Sequence, residues 1–354
     1  MNAQLSGMER PGRSGLAPAA SAALLVILVV AMAVLPLTPL GADKFTIQLL
    51  TRIMIMAILA MSLDLAMGVC GLVSFGHAAF FGLAGYVLAL VAPQGEAAGF
   101  WTSIAMAMAA TAVLALVMGA LVLRTTGVYF IMVTLALAQM LYFLFHDTKL
   151  AGGSDGIYIY VRPDATLFGF RPFDLDNVQH LYYVVLVALS LSYLLLRRVL
   201  SSLFGKVMSG IRINESRMQS LGYATFRYKL VCFMLSGTFA GLAGYFAAVQ
   251  FGVVNPDMLG WHLSGSAMMM VILGGMGTLW GAVIGAAAMI LAEMGFQALP
   301  AVTINGSEFN LGKHWQLWMG SFIVLVALYL PQGLGGALSA WWRAVFARKA
   351  APRP

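Results

Sequence analysis

The sequence predicts an all-α fold: a polytopic transmembrane helix bundle of about ten helices, with broken or re-entrant segments. Three observations carry this. Hydrophobic residues fill 61% of the 354 positions and charged residues 9%, against roughly half and a quarter in soluble domains, so so little charge cannot cover a water-facing surface. Apolar runs recur at about the 20-residue length that a helix needs to cross the hydrocarbon core. Lipid offers no partner to free backbone N–H and C=O groups, so each crossing run must be helical.

The apolar segments run over 20–41, 46–68, 72–92, 100–122, 127–146, 181–198, 228–250, 264–276, 280–299 and 314–331. The first follows Arg10 and Arg13 in the manner of a signal peptide, but it exceeds the roughly 7–15 apolar residues of such a leader, and a retained first helix is the simpler expectation. The third is interrupted by glycines and the eighth is short. Residues 1–19 are expected to form an N-terminal tail, 20–336 the membrane domain and 337–354 a basic tail. The connecting segments are too short for a soluble domain of about 50 residues or more.

Basic residues set the expected orientation. The stretch from Arg197 to Lys229 holds Arg197, Arg198, Lys206, Arg212, Arg217, Arg227 and Lys229 against the single acid Glu215. It reads as a cytoplasmic loop over 199–227. Asp147 to His180 carries Asp147, Asp155, Asp164, Asp174 and Asp176 against Lys149, Arg162 and Arg171, and is expected outside, as turns with a short surface helix. Ten crossings place both termini, Arg124 and the basic loop on one side, so charge and parity agree. The formal charge of +7 is thereby read as topology rather than as a nucleic-acid surface.

No chemistry of catalysis is legible. The Gly-Lys pairs at Gly205-Lys206-Val207 and Gly312-Lys313-His314 lack the Gly-rich turn and the Ser or Thr of a phosphate-binding loop. No GxSxG or HExxH occurs. Cys70 and Cys232 lie inside apolar runs without ligand-spaced neighbours, so neither a metal site nor a disulfide framework is expected. No catalytic residue and no cofactor is assigned, and transport energy must come from a partner or a gradient.

Ionisable groups within apolar runs are costly and are functional candidates by default. Asp64, His77 and Glu293 stand out. Each admits two readings, a polar path through the bundle or a buried hydrogen bond that fixes packing. Two glycine-rich interruptions, 68–77 and 274–281, fall one in each half. Small residues let membrane helices approach, yet paired helix breaks in the two halves of a transporter also point to a substrate path. On the second reading Ser74, Gly76, His77, Gly275, Gly277 and Gly281 are candidates for that path. In the basic loop a helix over Val207–Leu221, ended by Gly222, is expected. Its apolar stripe of Met208, Ile211 and Met218 is interrupted by Glu215, which suits a protein partner better than lipid.

Several of these motifs resemble one family. Ser74-Phe75-Gly76-His77-Ala78-Ala79-Phe80-Phe81-Gly82, the run from Arg124 through Gly127-Val128-Tyr129-Phe130, the Gly152-Gly153-Ser154-Asp155-Gly156 turn, Gly274-Gly275-Met276-Gly277-Thr278-Leu279-Trp280-Gly281 and Leu330-Pro331-Gln332-Gly333-Leu334 are similar, in order, to motifs of branched-chain amino-acid ABC transporter permeases. The resemblance spans roughly 50–336. It implies a permease subunit of the bacterial inner membrane that pairs with a second homologous permease, two ABC ATPase subunits and a periplasmic substrate-binding protein. It also implies that the basic loop is a coupling loop, with Arg212, Glu215, Arg217, Ser220, Leu221 and Gly222 as its residues. Met218-Gln219 departs from the small or basic residues of the family's loop. Alternatives are a urea or short-amide permease of the same family, a proton-coupled secondary transporter using Asp64, His77 or Glu293, and a non-transporting membrane scaffold.

Overall fold

The structure, a computed structural model, describes residues 32–37, 43–92, 97–166, 171–304 and 307–338. The predicted all-α class holds. The described helices are α1 (Lys44–Asp64), α2 (His77–Val91), α3 (Phe100–Val122), α4 (Val128–Asp147), α5 (Val178–Ser201), α6 (Leu203–Ile213), α7 (Glu215–Ser220), α8 (Thr225–Phe251), α9 (Trp261–Gly274), α10 (Leu279–Gln297) and α11 (Trp315–Tyr329). Six, counting α1 through Val69, are long and apolar enough to cross a membrane: α1, α3, α4, α5, α8 and α10. The first predicted segment, 20–41, lies mostly outside the described residues. Its residues 32–34 are helical, and the Tyr182 and Tyr183 hydroxyls of α5 donate to the carbonyls of Met32 and Ala33.

α1 and α8 form the centre. In α1 83% of the apolar window is buried, in α4 only 17%, so α4 turns most of its surface to lipid or to a partner. Glycines decide how closely α8 is approached. Gly237, Gly241 and Gly244 lie one or two turns apart, and a Cβ on each would meet Ala115, Thr111 and the Phe81 backbone respectively. This is small-residue packing of membrane helices, and it brings α8 onto both α2 and α3. A buried hydrogen bond between Ser103 and the Tyr245 hydroxyl, 2.8 Å, ties α3 to α8.

α2 and α9 are short, with 15 and 14 residues. At 1.5 Å per residue they span about 22 Å, less than the hydrocarbon core of about 30 Å. The third predicted segment, 72–92, therefore needs correction: helix begins only at His77, and Gly71, with φ +73°, starts an irregular stretch before it. α9 likewise begins at Trp261 rather than 264, after a 3-10 turn at Pro256–Leu259 whose Leu259 is buried against Gly82. The expectation of broken segments holds at both places.

The expected single helix over Val207–Leu221 is also corrected. It is two helices, α6 and α7, parted at Asn214, whose extended backbone stops α6 and whose side chain accepts from Arg217 N at 2.9 Å to cap α7. Asn is a strong N-cap residue, and inside a helix its side chain competes with the helical bonds. The ending at Gly222 holds: φ is +88°, Gly222 N donates to Gln219 O and Tyr223 N to Met218 O, the paired bonds of a Schellman cap. The cysteines give a third correction. Cys70 and Cys232, 162 residues apart, are joined as a disulfide, because the turn after α1 lays Cys70 against α8.

At the end opposite α6, the described residues of the 148–177 segment form turns, two short 3-10 helices (Lys149–Ala151 and Gly153–Asp155) and a two-residue strand, β1 (Ile157–Tyr158). β1 pairs antiparallel with β2 (Val253–Val254), just after α8 ends at Gly252. Gly152, Gly153 and Gly156 all have positive φ. Arg162 staples the segment down by donating to the carbonyls of Val249 and Leu175. A hairpin of β3 (Ala301–Ile304) and β4 (Ser307–Asn310) joins α10 to α11.

In this segment Asp164 N donates to Ala98 O and Phe100 N to Asp164 O. The Thr166 hydroxyl, at 2.5 Å, and then Arg171 hold the Asp164 carboxyl below its ordinary range. A lowered folded pKa contributes stability above the unfolded value, and that stability is lost as pH falls through the folded one. Amide protection at Phe100 and Asp164 is expected to stay constant from neutral pH down to the ordinary carboxylate value of 3.8 and to fall below it. Hydrogen-exchange mass spectrometry, corrected for intrinsic rates, checks this; protection that stays flat at lower pH would contradict it.

Candidate functional site

The two predicted glycine breaks meet each other. α1 continues past Asp64 into a π-helical turn, Leu65–Val69, a feature that often marks functional positions. Gly68 in this turn lies directly against the backbone of Gly277, and a side chain there would overlap both that backbone and the Asp64 carboxylate. Gly277, φ +80°, donates its N–H to Asp64 Oδ1 at 2.6 Å. Asp64 is wholly buried, and its Oδ2 has no hydrogen-bond partner among the described residues. Gly275, φ +104°, is closed in by the Gln332 and Gly333 backbone, and Gly281 sits on the carbonyl of Gly274. Only glycine fits these approaches, which explains the Gly-Gly-x-Gly spacing.

Arg212, in the last turn of α6, reaches into this junction. Its guanidinium donates to the Gly68 carbonyl, and its aliphatic stem lies over Gly71. That carbonyl belongs to the last turn before the helix ends at Val69, where carbonyls have no helical donor. One arginine thus joins the basic loop to the π turn, and Gly68 joins the π turn to the break before α10. Beside it a cavity of about 430 Å³ is lined by Gly71, Thr126, Phe130, Arg212, Glu215 and Lys229 among others.

The rest of the loop divides by exposure. Glu215 pairs with Lys229 of α8 at 2.5 Å, and Gln219 Nε2 donates to Thr225. Met218 packs on Gly210, folding α7 back against α6. Arg217, Ser220, Leu221 and Gly222 are exposed. Leu221 and Ile213 are apolar side chains 66% and 85% exposed.

Ser74, Gly76 and His77 form a separate cluster, the cap of α2. The first N–H groups of a helix lack helical partners, and here three hydroxyls serve this start. Ser74 accepts from Gly76 N at 3.1 Å, Thr134 of α4 from Phe75 N at 3.2 Å and Ser264 of α9 from Ala78 N at 2.8 Å. His77 Nε2 lies 2.6 Å from Ser236 Oγ, and that hydroxyl donates its only hydrogen to Ser62 O. His77 therefore carries its proton on Nε2 and gives it to Ser236. Phe80 and Phe233 meet the ring edge-on. Ser74 and His77 are fully buried within this subunit. No hydrogen bond among the described residues joins this cluster to the glycine junction. Glu293 is elsewhere again, paired with Arg52 at 3.5 Å.

Sequence reading missed Ser236, Ser264, Thr134 and Lys229. The signal for the first three was a hydroxyl within an apolar run, a residue type that also bonds harmlessly to its own helix. By sequence Lys229 reads only as a topology charge.

A bundle of apolar helices with short broken members, whose basic loop is fastened to the breaks, has the build of a membrane permease. The chain belongs to the family described as "Branched-chain amino acid transport system / permease component", which matches residues 45–331. It is 28% identical over 315 residues to the high-affinity branched-chain amino acid transport system permease protein LivM of Salmonella typhimurium, covering 84% of this chain and 71% of that one. The LivM protein of Escherichia coli matches at the same identity and coverage. No solved structure matches.

Proposed function

We propose that this permease imports branched-chain amino acids, as half of a path shared with a second homologous permease. Two ABC ATPase subunits drive it, and a periplasmic binding protein delivers the substrate. The basic loop and both termini face the cytoplasm, and the β1–β2 end faces outward. The observation that carries the coupling reading is the Arg212 bond to Gly68. Movement of α6 and α7 by an ATPase would pull directly on the π turn of α1 and, through Gly68, on the Gly277 break. Arg217, Ser220, Leu221 and Gly222 offer the exposed docking surface, while Glu215 holds the loop to α8 through Lys229. On this reading Gly275, Gly277 and Gly281 form the moving junction. Ser74, Gly76 and His77 position the start of α2 beside the path, since their burial keeps them from the subunit surface in this conformation.

Reconstitution with the partner subunits tests the whole. ATP-dependent leucine uptake is expected, with no ATP hydrolysis by this chain alone; hydrolysis by the isolated chain would overturn the reading. Glu215→Lys sets two cations against each other at Lys229 and is expected to lower uptake severalfold while membrane abundance stays normal. Undiminished transport would remove the loop from coupling. A thermal-shift screen of the cognate binding protein separates the substrates: response to urea with none to leucine would reassign the cargo.

A further inference from the structure

A second cavity, of about 440 Å³, opens at the end of the bundle opposite the basic loop, between α1, α8 and α10. That volume falls within the roughly 300–1,000 Å³ of small-molecule sites. One charge of each sign lines it. Arg52 of α1 and Glu293 of α10 approach by a single contact of 3.5 Å, with side chains 42% and 23% exposed. Gln297 donates to the other carboxylate oxygen of Glu293 at 3.3 Å. Gln250 is turned by its bond to the Gln48 carbonyl, leaving its own Oε1 buried without a partner among the described residues. Phe251, Ile290 and Met294 complete an apolar wall.

So loose an ion pair stabilises a fold very little. A charge kept within a membrane helix is costly and marks function by default. The pair is also at the wrong length for a strong bond, since charge-assisted N–H···O contacts close to about 2.7–2.9 Å. A ligand carrying both charges would repair this. Its anionic end would take Arg52, its ammonium would take Glu293, and the site would remain neutral throughout. A ligand with one charge would leave one partner unpaired.

We propose that the Arg52–Glu293 cavity binds a zwitterion, an anionic group and a primary ammonium a few ångströms apart, with an aliphatic portion against Phe251, Ile290 and Met294. Two sources share this chemistry: a free α-amino acid and the head group of an aminophospholipid. The amino-acid source rests on the import reading and would make the cavity a second substrate site at the outer mouth; zwitterion binding itself does not depend on that reading.

The test uses the full chain in nanodiscs of phosphatidylcholine, whose quaternary head group cannot donate the hydrogen bonds. L-Leucine binding is followed by saturation-transfer NMR, against 4-methylpentanoate and 3-methylbutylamine, which each keep one end. A Met294→Cys variant reports location through the rate of maleimide labelling. Leucine is expected to bind and to slow that labelling, and neither single-ended analogue is expected to compete. Arg52→Gln and Glu293→Gln are each expected to weaken binding about tenfold, the effect of losing one charge-assisted bond. If leucine has no effect but phosphatidylethanolamine, added to the discs, slows labelling and co-purifies with the wild type but not with Glu293→Gln, the zwitterion is the lipid. Competition by either single-ended analogue equal to that of leucine, or no response to leucine or phosphatidylethanolamine, overturns the proposal. The analogue comparison uses wild-type protein, so it stands even if a charge variant fails to fold. Uptake by the reconstituted transporter is measured separately: uptake without zwitterion binding sinks this site alone, and binding without uptake sinks the import reading alone.

Discussion

Arg212→Ala is expected to cut ATP-driven uptake at least about tenfold while the chain still reaches the membrane. The substitution removes a charge-assisted hydrogen bond, worth about 1.5–3 kcal/mol, and leaves the Gly68 carbonyl without its donor. It also strips the stem that covers Gly71. What is lost is the only hydrogen bond among the described residues between α6 and the π turn of α1. ATP hydrolysis by the assembled transporter should persist but cease to track substrate, so the ratio of uptake to hydrolysis is the quantity to measure. Arg212→Lys keeps the charge but not the planar guanidinium, and should recover part of the ratio. An unchanged ratio in Arg212→Ala would detach the loop from the glycine junction.

Gly244→Leu is the substitution expected to damage the fold most. α8 passes so close to α2 at this point that a Cβ would meet the Phe81 carbonyl and lie 2.7 Å from its Cα. Backbone is in the way, not the movable end of a side chain, so α2 and α8 must separate. A loss beyond about 4 kcal/mol is expected, in the range reserved for severe overpacking. It should appear as absence of folded protein in detergent, and even alanine should lower the unfolding temperature. Gly295→Ala is the control: it lies on α10 with open space around it, and its effect should stay within about 0.5 kcal/mol. Equal behaviour of the two variants would show that close approach of α8 to α2 is not a stabilising feature.

Much of the fold was legible because membrane insertion is written locally. Run length and apolarity are properties of consecutive residues, and so the spans of α1, α3, α4, α5, α8 and α10 came within a few residues of their predicted places. The misreadings share a cause. Residues 72–76 are largely apolar, and the start at His77 is set by the positive φ of Gly71 and by the hydroxyls of Ser74, Thr134 and Ser264, the last two from α4 and α9. The break at Asn214 turned on one side chain serving as a cap. Cys70 and Cys232 had no reason in the sequence to meet.

The candidate site was legible as residue types but not as an arrangement. Asp64, Gly68, Arg212 and Gly277 stand out in the sequence in three separate contexts. The partner of Asp64 is 213 residues away, and no periodicity carries information over that distance. Composition, run length and basic-residue placement by themselves determined a helical membrane protein with one basic loop, since the solvent acts on each segment independently. Tertiary structure alone decided that the two glycine breaks are one junction, that Arg212 ties the loop to it, and that His77 of α2 bonds to Ser236 of α8. The reason is that backbone-to-backbone contact and the satisfaction of buried polar groups depend on which helices become neighbours.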